Sequence, residues 1–270
     1  MTEDEWRDLE ETVAAYDPDR HVATFFAPKR ARRHLLALYA FDRELAHIGE
    51  AVREPMAGHV RLAWWREQLG VIYANGTPAS PTGRALAEAI KAQALPRTLL
   101  DAVIDARAHD LEETPFADEA ALEAHADATT GNIMRLAARI LGLHDRVDKA
   151  AHHAAVAYAY TTHVRDVTQF AKLHRCRLPL TWLIGENLNA EDVFSATSMK
   201  PAPQRIATRA AARTKAALAA ANAARFPPSA MPALSYATLA RIPGDPFAPK
   251  PLAPWARVAR IALASLMWRI

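Results

Sequence analysis

"YAFDRELAHIGE", residues 39–50, decides how this chain folds. Leu38 just before it and Phe41, Leu45 and Ile48 within it fall at i, i+3, i+7 and i+10, an apolar stripe of helical period. The spacing predicts a helix that begins around Lys29 or Arg30, directly after Pro28, and stops at the short break "REPMAG", residues 53–58.

Outward from this helix the same periodicity recurs. "HVRLAWWREQLGVIYANG" (59–76) reads as a second amphipathic helix carrying Trp64, Trp65, Leu69 and Ile72, closed by Asn75 and Gly76. Ser80 and Pro81 supply the N-cap and first position of a third. A fourth covers 95–113 and a fifth 118–143, with Gly131 in its middle; a sixth, from 148, is expected to run unbroken until just before Leu178 and Pro179. Glycine inside a helix costs about 1 kcal/mol relative to alanine, so Gly131 signals a close neighbour or a kink. The polar stretch 184–204 is expected to be the least ordered, and an Ala-rich helix, a proline-studded loop at 243–254 and a last helix, "WARVARIALASLMWRI" (255–270), complete the chain.

Only 9 glycines in 270 residues, much Ala and Leu and few β-branched runs favour helix throughout, so the expected fold class is all-α. The length suits one helical domain, and 1–270 is read as a single unit without internal repeats. A formal charge of +3 and a pI near 9.1 suit a surface that meets phosphates or anionic lipid heads, or one whose arginines are simply solvated on helix backs. A single cysteine, Cys176, excludes an internal disulfide and a Cys-based zinc site. "MTEDEWRDLE" lacks the apolar centre of a signal peptide, and no stretch approaches the ~18 apolar residues of a spanning helix. A cytoplasmic protein, peripheral at the inner membrane at most, is expected, with no nucleic acid among its partners.

Three stretches carry a resemblance. "LLALYAFDRELAHIGE" (35–50), "HADATTGNIMRLAARILG" (125–142) and "AYTTHVRDVTQFAKLHRCRLPLTWL" (159–183) resemble, in this order, the first signature, the central helix and the second signature of squalene and phytoene synthases. The resemblance covers roughly residues 20–245. It implies an all-α bundle around a central apolar cavity, whose mouth binds two prenyl diphosphates through Mg²⁺ for head-to-head condensation. The chemistry asks for two i, i+4 carboxylates on each of two facing helices, because hard Mg²⁺ ions take oxygen ligands and carry the charge of the departing diphosphate.

Laid on these signatures, Tyr39 and Arg43 match, but the two acids expected at 46 and 50 are Ala46 and Glu50. In the second signature the expected asparagine is Thr162, Arg165 and Asp166 match, and the last acid is Phe170. One carboxylate per helix is a poor cage for two or three Mg²⁺ ions. The resemblance therefore implies a diphosphate- or lipid-binding site drawn from Tyr39, Arg43, Glu50, Gly131, Thr162, Arg165, Asp166 and Phe170, with Glu50 and Asp166 the remaining metal candidates. The phrase "VREPMAGHVRLAWW" (52–65) is similar to a side branch of the family, the bacterial relatives of the mitochondrial complex I assembly factor with a phytoene-synthase-like domain.

Each residue also has a plainer reading. Glu50 and Asp166 hold a residual metal or phosphate, or they salt-bridge Arg43 and Arg165. Gly131 admits another helix or a prenyl chain, or it marks a loose helix start. Trp64 and Trp65 are core residues with one amphipathic edge, or one of them meets a partner protein. His47, His163 and the His152–His153 pair lack ligand spacing and read as structural or surface residues. The last helix packs across the bundle or lies on an anionic membrane. The expected function is a non-catalytic lipid- or partner-binding factor, placed in respiratory complex I assembly by the resemblance and needing no cofactor. The alternative is an active Mg-dependent prenyl transferase in which Asp42, Glu44 or Asp110 stand in for the lost acids.

Overall fold

A computed structural model describes residues 1–195, 202–240 and 252–270, and among them every regular element is helical. The chain opens with α1 (Glu3–Tyr16), started by a capping box in which the Thr2 hydroxyl accepts from the Glu5 amide and the Glu5 carboxylate from the Thr2 amide. α2 (Pro18–Thr24) turns into α3 (Lys29–Ala51), the long helix of the opening stretch. α4 (Pro55–Tyr73) starts four residues earlier than predicted, because Pro55 takes the first helical position and needs no amide partner there. The Ser80 hydroxyl caps α5 (Pro81–Gln93), as its sequence predicts, and α6 (Arg97–Arg107) runs on into one 3₁₀ turn.

Leu35, Leu38, Phe41 and Leu45 of α3 are buried to within 1% and contribute to a core shared with α1, α4, α5, α6 and residues 133–140. Burying each such side chain contributes about 1.5–3 kcal/mol. Trp65 of α4 is buried edge-on against Phe41, with ring centroids 5.0 Å apart, and Trp64 packs on it, half-buried. Both tryptophans thus serve packing.

The fifth predicted helix is continuous in space but changes gauge. α7 (Glu119–Ala126) widens into one π turn (Asp127–Gly131) before α8 (Asn132–Ile140) resumes. Thr129 and Asn132 hydrogen-bond back to the carbonyls of His125 and Ala128, at 2.7 and 3.0 Å, inside the widened turn. Gly131 lies here, and the neighbour that crowds the place of a side chain is its own helix's ion pair. A Cβ would stand 2.7 Å from Asp127 Oδ1 and 3.1 Å from Arg135 Nη1, so neither a second helix nor a lipid chain accounts for this glycine.

α9 (Asp148–Arg165) does not continue to residue 177. It stops at Asp166, and α10 (Val167–Ala171) restarts from the Asp166 carbonyl. Beyond α10, Arg175 is buried to 1% and donates to the carbonyls of Gly49 and Val52, the unpaired end of α3. α11 (Leu180–Gly185) and α12 (Ala190–Ser195) follow, so the stretch predicted to be least ordered holds helix on its N-terminal side; residues 196–201 lie outside the described ones. The Ala-rich α13 (Ala202–Ala223) runs along α9, small residues on both sides letting the two approach closely. α14 (Met231–Leu234) and α15 (Pro254–Met267) close the chain; most of the proline-studded loop lies outside the described residues.

Candidate functional site

A cleft of about 710 Å³ opens between α3 and α9, with the π turn as a third wall and α15 at its rim. α3 contributes Asp42, Arg43, Ala46 and Glu50, one helical face at i, i+4 and i+8. α9 and α10 contribute Thr161, Thr162, His163, Arg165, Asp166 and Phe170, and the π turn adds Thr129 and Thr130. Six of the eight predicted binding residues therefore share this cleft: Arg43, Glu50, Thr162, Arg165, Asp166 and Phe170. Tyr39 and Gly131 are buried outside its lining. The Tyr39 hydroxyl donates to the Pro232 carbonyl at 3.4 Å, and its ring lies 5.1 Å from the guanidinium of Arg20, so Tyr39 supports a lining residue.

Both surviving acids of the signatures are closed by arginine. Arg43 donates to the two oxygens of Glu50 at 2.8 and 2.7 Å, a bidentate pair that, against the cost of burial, holds the carboxyl below its usual range. Arg165 likewise donates to both oxygens of Asp166, at 2.7 Å each. Adjacent residues of a regular helix do not face each other, and this pair exists because α9 ends at Asp166. The Thr162 hydroxyl, at the position of the expected asparagine, donates to the Tyr158 carbonyl at 3.0 Å. Glu50 and Asp166 thus each form the salt bridge that their plainer reading expects.

Along the cleft lining, with Asp110 behind it, runs a ribbon of alternating charge that the sequence reading missed. Asp17 pairs with Arg20; Arg20 and Arg107 grip Asp42 at 2.6 and 2.8 Å; Arg107 reaches Asp110 at 3.0 Å. Asp110 also meets His125 at 3.1 Å and Arg177 at 3.4 Å. Burial alone would raise both carboxyls, but Arg107 and Arg20 hold Asp42 below the usual carboxylate range, and Arg177 leads the groups that hold Asp110 well below it. Glu44, the third proposed substitute acid, accepts a hydrogen bond from the Thr82 hydroxyl and is raised by burial. None of the three substitutes is an open metal ligand.

Phe170 does something specific where an acid was expected. The Arg177 guanidinium lies face-on over its ring, 3.7 Å from the centroid, and Arg177 lines the cleft with its Nε and Nη2 lacking hydrogen-bond partners. Nearby, His163 stacks on Phe116 at 5.7 Å, and burial, helped by Arg177 and His125, drives its pKa well below the ordinary value. One signal for these missed residues was legible. Asp42 sits four residues after Leu38, and Arg107 and Asp110 sit three and seven after Ile104 and Val103, charges in core-facing registers.

The donor set does not fit a Mg²⁺ cage. Ala46 and Phe170 offer no oxygen, Glu50 and Asp166 are engaged by guanidinium groups, and no cluster of three or more His, Cys, Asp or Glu among the described residues is placed to hold a metal ion. What the cleft offers is arginine side chains on a wall of mixed polar and apolar character.

Comparisons with known proteins agree with this architecture. The mouse NADH dehydrogenase (ubiquinone) complex I, assembly factor 6 is 26% identical over 183 residues, covering 67% of this chain and 55% of that protein. The phytoene synthase of Rhodobacter capsulatus is 29% identical over 178 residues, 63% of this chain and 51% of the enzyme. The chain thus spans about half the length of these relatives. A crystal structure of a dehydrosqualene synthase in complex with ligand superposes with a TM-score of 0.77 at 14% identity, over 98% of this chain and 96% of that one, which shows the shared helical fold. The family model of squalene/phytoene synthase matches residues 13–258, and the chain belongs to the squalene/phytoene synthase family.

Proposed function

We propose that this protein has given up head-to-head prenyl condensation and acts as a non-catalytic member of its family, binding an isoprenoid-like lipid or a partner protein in the assembly of respiratory complex I. One observation carries the reading: the only signature carboxylates left, Glu50 and Asp166, are each taken by a bidentate arginine, and Phe170 fills a lost ligand's place with a platform for Arg177. Similarity to assembly factor 6 supports the biological setting. An anionic head in this cleft would be met by guanidinium groups directly, without a bridging metal.

The test is turnover. Purified protein incubated with farnesyl or geranylgeranyl diphosphate and Mg²⁺ is expected to form neither squalene nor phytoene nor their cyclopropyl diphosphate precursors. Robust formation of any of these, lost in Glu50→Gln and Asp166→Asn with helicity intact, would sink the reading and restore the prenyl transferase.

A further inference from the structure

We propose that the outer face of α15 is a docking surface for an anionic lipid bilayer, whatever the cleft holds. The helix is amphipathic the wrong way round for a surface element in water. Its arginines point inward: Arg257 donates to Asp19 at 2.9 Å, and Arg260 lines the cleft. Its outward face is apolar, with Trp255 76%, Leu263 56%, Leu266 75% and Trp268 63% exposed, while only Ile261 and Ala264 of the helix are buried. Trp255, Ala259, Leu263 and Leu266 follow one another at i, i+4, i+8 and i+11, a single stripe along the helix.

The apolar surface continues beyond the helix. Phe26 and Pro28 share a groove of about 280 Å³ with Leu266, Pro228 and Met231, and Phe25 beside them is half exposed. Folding leaves these side chains in water at a cost of the same order as burying them would return.

Charge decides the occupant. Residues 252–270 contain no Asp or Glu. The exposed Lys29 and Arg30 directly follow Pro28 of the groove, Arg32 is held over Phe25 by its bond to the Phe25 carbonyl at 2.9 Å, and Arg269 follows Trp268. An apolar stripe with an aromatic ring at each end and cations along its border matches the interface of an anionic bilayer, where acyl chains take the stripe, headgroup depth suits the indoles and phosphates meet the cations. The helix lies in the plane of the membrane; no described helix is long and apolar enough to cross one.

The experiment is vesicle sedimentation of the full chain, with phosphatidylcholine alone and with equal parts phosphatidylcholine and phosphatidylglycerol. The protein is expected to bind the anionic vesicles and to lose partitioning by well over tenfold in the combined variant Trp255→Ser, Leu263→Ser, Leu266→Ser, whose exposed positions leave the core and the circular dichroism unchanged. Lys29→Glu with Arg30→Glu is expected to weaken binding to anionic vesicles about tenfold or more and to leave the residual binding to neutral ones unaltered. Absence of binding to both vesicles overturns the proposal. So does binding that survives the triple variant, and so does concentration-dependent self-association through this face with no vesicle binding, which would make a second copy its occupant.

Discussion

Replacing Asp42 by asparagine separates the buried charge ribbon from the pairs at the cleft mouth. Asp42 is 1% exposed and accepts from Arg20 at 2.6 Å and Arg107 at 2.8 Å, two guanidinium groups whose side chains are 11% exposed. The substitution keeps the shape, so no cavity term enters. It removes the negative charge shared by two buried cations and turns an NH₂ toward one of them. Breaking a buried pair by removing one partner costs about 3–5 kcal/mol. At roughly 2–4 °C per kcal/mol for a chain of this size, Tm should fall by about 6–20 °C. Glu50→Gln is the internal comparison: its pair with Arg43 is about a quarter to a third exposed, and such a loss is worth about 1 kcal/mol or less. Urea unfolding with two probes reads both. Equal losses in the two variants, or a loss below about 1 kcal/mol for Asp42→Asn, would show that the ribbon is solvated and that its depth has been misjudged.

The remaining expectations follow from the same geometry. Gly49→Ala places a Cβ 2.9 Å from Asp110 Cβ and 3.0 Å from Arg177 Nη2, and should cost about 1–3 kcal/mol by chemical denaturation, with Arg177 displaced from Phe170. Acid should unfold the protein in two steps. His163 is neutral in the fold and its pKa lies well below the ordinary 6.5, so the folded state binds fewer protons and stability falls as pH drops below about 6.5. Asp42 and Asp110 are held below 3.8, so their share is present above that value and is lost as pH falls further, through their folded pKa values. His34, His109 and His153 are lowered by burial too, so His163→Gln should shrink the upper step and leave the lower one in a pH series of urea midpoints. Phe170→Leu keeps the volume apolar but removes the ring under Arg177, and should cost about 1–2 kcal/mol, read by urea denaturation.

How much of this was legible in the sequence follows period and register. The α3 stripe, the Ser80–Pro81 start of α5 and the family signatures depend on local spacing, and they led to the right fold class and to six residues of one cleft. Helix ends were harder, because α9 stops at Asp166 with no glycine or proline in the sequence to mark the place. The arginine ribbon was out of reach for another reason. Arg20, Arg107 and Arg177 come from three segments far apart in the chain, and only the fold brings them to Asp42 and Asp110. Gly131 reads in sequence either as an opening for a helix or prenyl chain or as a loose helix start, and the structure places Asp127 and Arg135 of its own helix beside it.

The changes at 46 and 170 also look different once placed together. Deleting one carboxylate from each of two facing helices would leave the cleft's cations with less to balance them, and a cleft of unbalanced buried guanidinium groups would be unstable. The carboxylates present balance these cations in place: Glu50 and Asp166 pair with Arg43 and Arg165, and Asp42 and Asp110 neutralise the ribbon. The ion pair of Arg177, at 3.4 Å to Asp110, lacks hydrogen-bond geometry, and Phe170 offers its guanidinium a ring face. Restoring an aspartate at 170 would therefore strengthen the grip on Arg177 before it attracted any Mg²⁺. A single reversion cannot rebuild the metal site, and the four positions 46, 50, 166 and 170 have to be read, and tested, as one unit.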